Sequence, residues 1–193
     1  EGLEEHLAEL EVWISGSFYY NRQAKVVFAE FANSDAINIQ KLGHPFIPAD
    51  VQVENDLYFH STEQFYIITG PNMAGKSTYL RSVGWAIISA NAGFPVIAES
   101  CIIPKMHLYT SMRTADDLNE KSSFFHAELK RLRFIVDAIE NGKKVFVILD
   151  EILKDDGMLD SRANPAVPLV TAVSSKMSST PSQLCLLRNY NYG

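Results

Sequence analysis

Hydrophobic residues recur along the chain with two spacings, which predict helices and strands. Apolar positions three and four residues apart predict helices over residues 3–31, 77–91 and 122–140. Short apolar runs predict strands at residues 37–42, 57–59, 65–69, 95–98, 102–104, 106–110 and 145–149. We expect the strand at 65–69 to pair with the one at 57–59 as a hairpin. The run from Val145 to Leu149 is uninterrupted, so it is expected to be buried on both faces, as parallel strands of α/β domains are.

The first helix is predicted to be an amphipathic arm. Its apolar face is formed by Leu3, Leu7, Leu10, Ile14 and Phe18. Further apolar width comes from Trp13, Tyr19 and Tyr20. Because this face is broad, we expect the helix to pack on a neighbour. Phe28, near the predicted end of the helix, is expected to be a core residue.

Composition and charge narrow the classes of protein that the chain can be. With 193 residues the chain is long enough for a domain with a core, and its 47% hydrophobic content argues against general disorder. The net charge of −6 leaves no overall basic footprint for nucleic acid, so such a role requires a local patch or a missing region. Cys101 and Cys185 lie far apart and suggest no disulfide framework, which makes a reducing cytoplasm the simplest setting.

From the start and the apolar runs of the sequence we expect neither a signal peptide nor a membrane span. No apolar run reaches the roughly 20 residues of a membrane span, so we expect no membrane partner. The acidic start, from Glu1 to Glu5, is unlike a signal peptide. It begins within a helical pattern, and we therefore expect the chain to be a piece of a longer protein.

A glycine-bearing loop between the strand at 65–69 and the second helix fits the phosphate-binding pattern G-x-x-x-x-G-K-[ST]. Gly70 and Gly75 permit backbone angles that turn consecutive N–H groups toward an oxyanion, and the helix N-terminus adds partial positive charge. Lys76 would reach the terminal phosphates and Ser77 would offer its hydroxyl to Mg²⁺. The residues expected to bind the nucleotide are Gly70, Pro71, Asn72, Met73, Ala74, Gly75, Lys76, Ser77 and Thr78. A chance glycine-rich turn is disfavoured because the flanking strand and helix also fit.

Two carboxylates follow the buried strand at 145–149 and complete a nucleotide site. Asp150 would hold Mg²⁺ through water, and Glu151 would polarise the water that attacks the γ-phosphate. A strand capped by two solvated acids is the alternative. The presence of the phosphate-binding loop in the same chain favours the metal and base roles.

With this loop and these two carboxylates, the sequence resembles the C-terminal ATPase domain of the MutS family of DNA mismatch-repair proteins, which are ABC-type ATPases. The loop from Thr69 to Thr78 is similar to that family's own version, because Pro71-Asn72-Met73 is far more specific than the general pattern. Further similar segments are Gly43-His44-Pro45, residues 115–118, residues 122–128 and residues 149–154. Roughly residues 37–157 are covered.

This resemblance implies a P-loop NTPase fold with an ABC-type sheet flanked by helices, divided into three parts. Residues 1–34 would be a helical arm from the end of the family's lever helices, residues 35–157 the ATPase domain, and residues 158–193 a divergent tail. ATP and Mg²⁺ would be the cofactors. A second such domain would be the dimer partner with shared nucleotides, while DNA would be reached only through regions absent from this chain.

The resemblance also implies roles for single residues. Asn72 would sense the γ-phosphate and act with Lys76 and Glu151 in catalysis. Ser123, at a helix N-terminus, would reach the partner's nucleotide, although it could equally be a plain N-cap. Glu99 stands where many relatives have Gln or Glu linking the site to the rest of the protein.

The end of the sequence departs from the family. After Lys154 the family has Gly-Thr, where this chain has Asp155-Asp156, and no histidine follows His126. The tail beyond residue 157 is rich in Ser and Pro without clear periodicity, so we expect it to be loosely packed and the ATPase fold to be incomplete there. A shifted or truncated reading frame is favoured over a divergent ending. A nucleotide-binding module with little turnover remains an alternative function, whereas a P-loop kinase is disfavoured because we find no acceptor-substrate residues.

Overall fold

The computed structural model describes residues 2–22, 25–60, 65–71, 73–112, 121–150 and 184–188. At residues 65, 121–126, 184 and 186–188 it describes the backbone alone. The chain divides into two compact units, a first unit of residues 1–58 with 81–104 and a second unit of residues 59–80 with 105–193. None of the helices in the described part of the chain combines the length and hydropathy that a membrane span requires.

Helices and strands alternate along much of the described chain. The helices are α1 (Gly2–Arg22), α2 (Lys76–Asn91) and α3 (Lys121–Glu140). The strands are β1 (Glu30–Ala32), β2 (Ile37–Leu42), β3 (Asn55–Phe59), β4 (Phe65–Ile68), β5 (Ser100–Pro104), β6 (His107–Ser111), β7 (Val145–Leu149) and β8 (Leu184–Arg188). This confirms the predicted α/β class.

The first unit contains a mixed sheet with the strand order β1-β5-β2-β3. β1 runs parallel to β5, and β2 runs antiparallel to β5 with Ile39 opposite Cys101. Along β2, buried and half-buried residues alternate from Ile37 to Gln40. Lys41 then adopts a left-handed φ of 50°, and Leu42, the residue after it, is buried. One left-handed residue thus shifts the face of the strand that enters the core.

The second unit contains a sheet with the strand order β4-β8-β7-β6, and each neighbouring pair is parallel. All five residues of β7 are buried, which confirms the prediction of a strand covered on both faces. Apolar residues of α3 cover this strand: Leu132, Ile135, Val136 and Ile139. Their spacing of three and four residues forms one helical face.

The N-terminal helix is shorter and more exposed than predicted. α1 ends at Arg22, and none of its residues is buried. The helix still has neighbours in the first unit, because the ring of Phe94 lies against Gly16 and Phe28 stacks on Tyr20. Val27 instead exchanges backbone hydrogen bonds of 2.9 and 2.8 Å with Val96, since β-branched residues favour extended backbone. The prediction that Phe28 is a core residue is wrong, because its side chain is 59% exposed.

Two predicted strand arrangements are also wrong. β3 and β4 belong to different sheets, so they do not form the expected hairpin. β4 pairs with β8 in parallel, and a distant strand therefore takes the place of the neighbour in sequence. In the predicted strand at 95–98, Val96 makes only an isolated bridge, and the ladder begins at Ser100.

Part of the tail enters the sheet of the second unit. Leu184–Arg188 lies between β4 and β7 and pairs with both, and Cys185 is fully buried. For these five residues the expectation of loose packing is wrong, because a central strand has a hydrogen-bonded neighbour on each side. Residues 151–183 and 189–193 lie outside the described part of the chain.

Cys185 is expected to resist alkylation by iodoacetamide in the native protein. Its side chain is fully buried, and burial raises the pKa of the thiol far above its usual value, so little thiolate forms. Cys101 is an internal reference, because burial raises its pKa to about 12. Peptide mass spectrometry before and after unfolding would report both sites, and rapid native labelling of Cys185 alone would contradict the central position of β8.

Candidate functional site

The carboxyl ends of β4 and β7 meet at one edge of the second unit's sheet. The pairing across β8 aligns Ile67 with Leu187 and Leu187 with Leu149, so the two strands end at nearly the same level. Only β8 separates them, which corresponds to about 10 Å between the strand axes. The loop after β4 and Asp150 after β7 therefore lie at the same edge.

The loop after β4 has positive φ values at three of its described residues. Gly70, Met73 and Gly75 have φ values of 146°, 65° and 83°. Positive φ values in a short loop can turn backbone N–H groups toward a common point, and the N–H of Ala74 donates to the carbonyl oxygen of Pro71 at 3.4 Å. α2 begins directly afterwards at Lys76, so the positive end of its dipole adds to the same place. Glycine at position 75 meets the steric demand of this turn without strain.

The side chain of Lys76 is held inside the loop. It is 8% exposed, and its Nζ donates hydrogen bonds to the carbonyl oxygens of Gly70 at 2.5 Å and Pro71 at 2.6 Å. The ammonium thus lies beside the loop backbone with two of its three donors engaged by carbonyls. Phosphate oxygens, which carry full charge, are stronger acceptors than these carbonyls.

Asp150 provides a buried carboxylate at the same edge. The residue is 6% exposed, and its backbone N–H donates to the carbonyl oxygen of Ser111, at the end of β6, at 2.9 Å. This bond extends the β6–β7 ladder by one step and fixes where Asp150 leaves the sheet. Sequence reasoning did not single out Ser111, since only the parallel pairing of β6 with β7 reveals it.

A magnesium–nucleotide complex fits this donor set. Among the described side chains, no group of three or more His, Cys, Asp or Glu forms a dedicated metal cage. Mg²⁺ bound to a nucleotide requires only one or two protein oxygens, because phosphate and water supply the rest. Ser77, half-buried in the first turn of α2, and Asp150 are the protein oxygens that the loop and the strand bring to one edge.

The predicted site residues fall into two groups. Gly70, Pro71, Ala74, Gly75 and Lys76 belong to the described loop and helix start, as do Met73, Ser77 and Thr78. Asn72 and Glu151 lie outside the described residues, and Ser123 is described only by its backbone in the first turn of α3. Their predicted roles therefore stay predictions.

Glu99 lies in the first unit, where it makes an ion pair that the sequence did not predict. Its carboxylate bonds to the ammonium of Lys41. That hydrogen bond and the adjacent positive charge lower the pKa of Glu99, and the same contact raises the pKa of Lys41. Both residues line a cavity of about 600 Å³ together with Tyr20 and Lys25.

Comparison with known proteins identifies the family. The profile of MutS domain V matches residues 66–182, which include the loop, Asp150 and most of the tail. The chain belongs to the MutS family.

Several MutS relatives are similar to this chain over most of its length. "DNA mismatch repair protein MutS" of Thermotoga sp. (strain RQ2) is 35% identical over 156 residues, 78% of this chain and 19% of that protein. The protein of the same name in Thermotoga maritima is 37% identical over 131 residues, 66% of this chain and 16% of its own length. In Pseudothermotoga lettingae the identity is 30% over 192 residues, 97% of this chain and 23% of the relative. The chain thus spans about a fifth of the length of the curated relatives it matches.

Proposed function

We propose that this chain is the ATP-binding and ATP-hydrolysing domain of a MutS-family mismatch-repair protein, with a P-loop NTPase fold. One observation carries the proposal: the loop that contains Lys76 and the buried carboxylate of Asp150 lie at the same edge of one parallel sheet, one strand apart. Open α/β sheets bind ligands at the carboxyl ends of their strands. The family match covers both elements.

Each residue of the site has a distinct task in this proposal. The amides of the loop and the N-terminus of α2 bind the phosphates. Lys76 exchanges its contacts with Gly70 and Pro71 for phosphate oxygens. Ser77 and Asp150 hold Mg²⁺, which when bound neutralises developing charge on the phosphates. Glu151 accepts a proton from the attacking water, and Asn72 contacts the γ-phosphate.

The partners of the proposed function follow from the family rather than from contacts within this chain. The relatives are named DNA mismatch repair proteins, and this chain covers about a fifth of their length. We infer that ATP brings two such domains together, with Ser123 of each domain beside the partner's nucleotide. In the longer protein this closure would be coupled to binding of mismatched DNA.

A nucleotide-binding module with little turnover is the second candidate. It is motivated by Asp155-Asp156 in place of the family's Gly-Thr. Binding without turnover requires the loop and Asp150 but not the residues that complete hydrolysis. Both candidates predict that the chain binds ATP, and only the first predicts steady ATP hydrolysis.

Calorimetric titration of the 193-residue chain with ATP tests the proposal directly. We expect saturable binding that Mg²⁺ strengthens, because Asp150 would hold a metal ion that accompanies the phosphates. Phosphate release measured on the same sample separates the two candidates: steady turnover supports the ATPase, and binding without turnover supports the module. Absence of ATP binding with and without Mg²⁺ would contradict both.

A further inference from the structure

Lysines gather at the opposite edge of the sheet that carries the candidate nucleotide site. The backbone N–H of His107, the first residue of β6, donates to the carbonyl oxygen of Lys144 at 2.9 Å, just before β7 begins. His107 is also paired with Val145. Lys105 and Lys143 each precede this pair by two residues, so both lie at the end of the sheet where β6 and β7 begin.

This cluster, formed by Lys105, Lys143 and Lys144, contrasts with the charge of the whole chain. The net charge of the chain is −6, yet Glu140 is the one acidic residue in the described stretches 105–107 and 140–144. Glu140, Lys143 and Lys144 each take part in at least one further interaction, and positive charge remains in excess whichever of them pair. Lys105 and Lys143 are exposed, and Lys144 is half-buried.

We propose that this lysine edge binds the phosphate backbone of duplex DNA. The choice of DNA rests on the proposed function, whereas the contact itself goes beyond it, because that function reaches DNA only through regions outside this chain. Lysines act as point charges toward phosphates and carry no base preference, so binding is independent of sequence.

Phosphates suit this edge better than a protein partner does. In the described stretches 105–107 and 140–144, the one large apolar side chain, Met106, is 3% exposed. Protein interfaces depend on a few buried aromatic or apolar anchors, and these stretches offer none on their surface. Contacts to nucleic-acid backbone need only ammonium groups and counterion release. At physiological salt, electrostatic interactions are screened over a Debye length of about 8 Å. Acidic residues farther away than this repel DNA only weakly, whereas phosphates in contact with the lysines are still attracted.

DNA and nucleotide would not compete for space. β7 has five residues between Lys144 and Asp150, so six residue steps of about 3.3 Å separate these two residues by roughly 20 Å. The lysine edge can therefore be tested in the absence of nucleotide.

The test is fluorescence anisotropy of a labelled random-sequence DNA duplex, titrated with the 193-residue chain from about 50 to about 200 mM salt. Removing two charges in the variant K143Q/K144Q is expected to weaken binding roughly tenfold at low salt and to lower the slope of log K against log salt by about 1.8. The matched control is K130Q/R131Q, which removes the same charge from two exposed positions of α3 in the same unit. We expect the control to bind DNA as the unchanged chain does.

Three results would overturn the proposal. The unchanged chain could fail to bind duplex DNA at low salt, the control could lose as much affinity as K143Q/K144Q, or poly-glutamate could bind more tightly than DNA at equal salt. The last result would point to an acidic protein instead. Thermal unfolding of both variants verifies that they fold, and calorimetric ATP binding is measured separately, so failure of the lysine edge and failure of the nucleotide site give different results.

Discussion

Replacing Lys76 with alanine is expected to weaken ATP binding by about 10- to 100-fold, because a charge-assisted hydrogen bond to phosphate is worth roughly 1.5–3 kcal/mol. In the free chain, the Nζ of Lys76 donates to the carbonyl oxygens of Gly70 and Pro71 at 2.5 and 2.6 Å. Binding exchanges these contacts for phosphate oxygens, so the expected weakening is the difference between the phosphate bonds lost and the carbonyl bonds that no longer have to be broken. Calorimetric titration with Mg²⁺ and ATP measures the change.

Lys130→Ala is the control for this variant. Lys130 is exposed on α3 and belongs to the same unit as Lys76. Its replacement therefore removes one positive charge and leaves the loop unchanged. Its ATP affinity is expected to match that of the unchanged chain. Equal affinity of Lys76→Ala and Lys130→Ala would remove the loop from the nucleotide site. A loss in both variants would indicate that overall charge, and not the loop, determines the affinity.

The candidate site was predictable because its two halves carry strong local signals. A glycine-bearing loop is recognisable from Gly70 to Ser77 without knowledge of the sheet, since its backbone angles and its lysine are fixed by short-range geometry. The strand before Asp150 is recognisable because five consecutive apolar residues need cover on both faces. Whether the loop and Asp150 lie at the same edge depends on strand pairing between distant parts of the sequence, namely the pairing of β4 and β7 with β8.

The position of β8 was not predictable from the composition of the tail. Leu184 and Cys185 begin an apolar run of four residues, which is the length of a buried strand. The surrounding serines and prolines favoured a loop, and the local pattern contains no information on pairing. Parallel strands far apart in sequence are joined by tertiary contacts, so their order depends on packing and not on periodicity.

For the N-terminal helix, the sequence predicts the element but not the residue at which it ends. Spacing of apolar residues correctly predicts a helix through Phe18, but it does not locate the end at Arg22. Beyond that residue, hydrogen bonds between Val27 and Val96 and the pairing of β1 with β5 favour extended backbone. Tertiary pairing thus overrides a helical period that continues in the sequence.

Glu151→Gln is expected to lower steady-state ATP turnover by about 10²- to 10⁴-fold, the usual contribution of a general base, while ATP still binds. The amide has the size of the carboxylate but cannot accept the proton of the attacking water. Asp150→Asn, one residue earlier, should act differently. Its carboxylate follows a fully buried strand and is assigned to Mg²⁺, so its loss should abolish the increase in ATP affinity that Mg²⁺ causes.

The two adjacent variants together distinguish a base from a metal ligand. ATP affinity measured with Mg²⁺ and with EDTA gives the metal dependence, and phosphate release gives the turnover of the same samples. If Glu151→Gln retains full turnover, Glu151 is not the base, and the water must be activated by another group. If Asp150→Asn keeps its Mg²⁺ dependence, the metal is held without Asp150. Should the unchanged chain bind ATP but turn none over, the comparison of affinities still tests Asp150, because binding does not depend on the base.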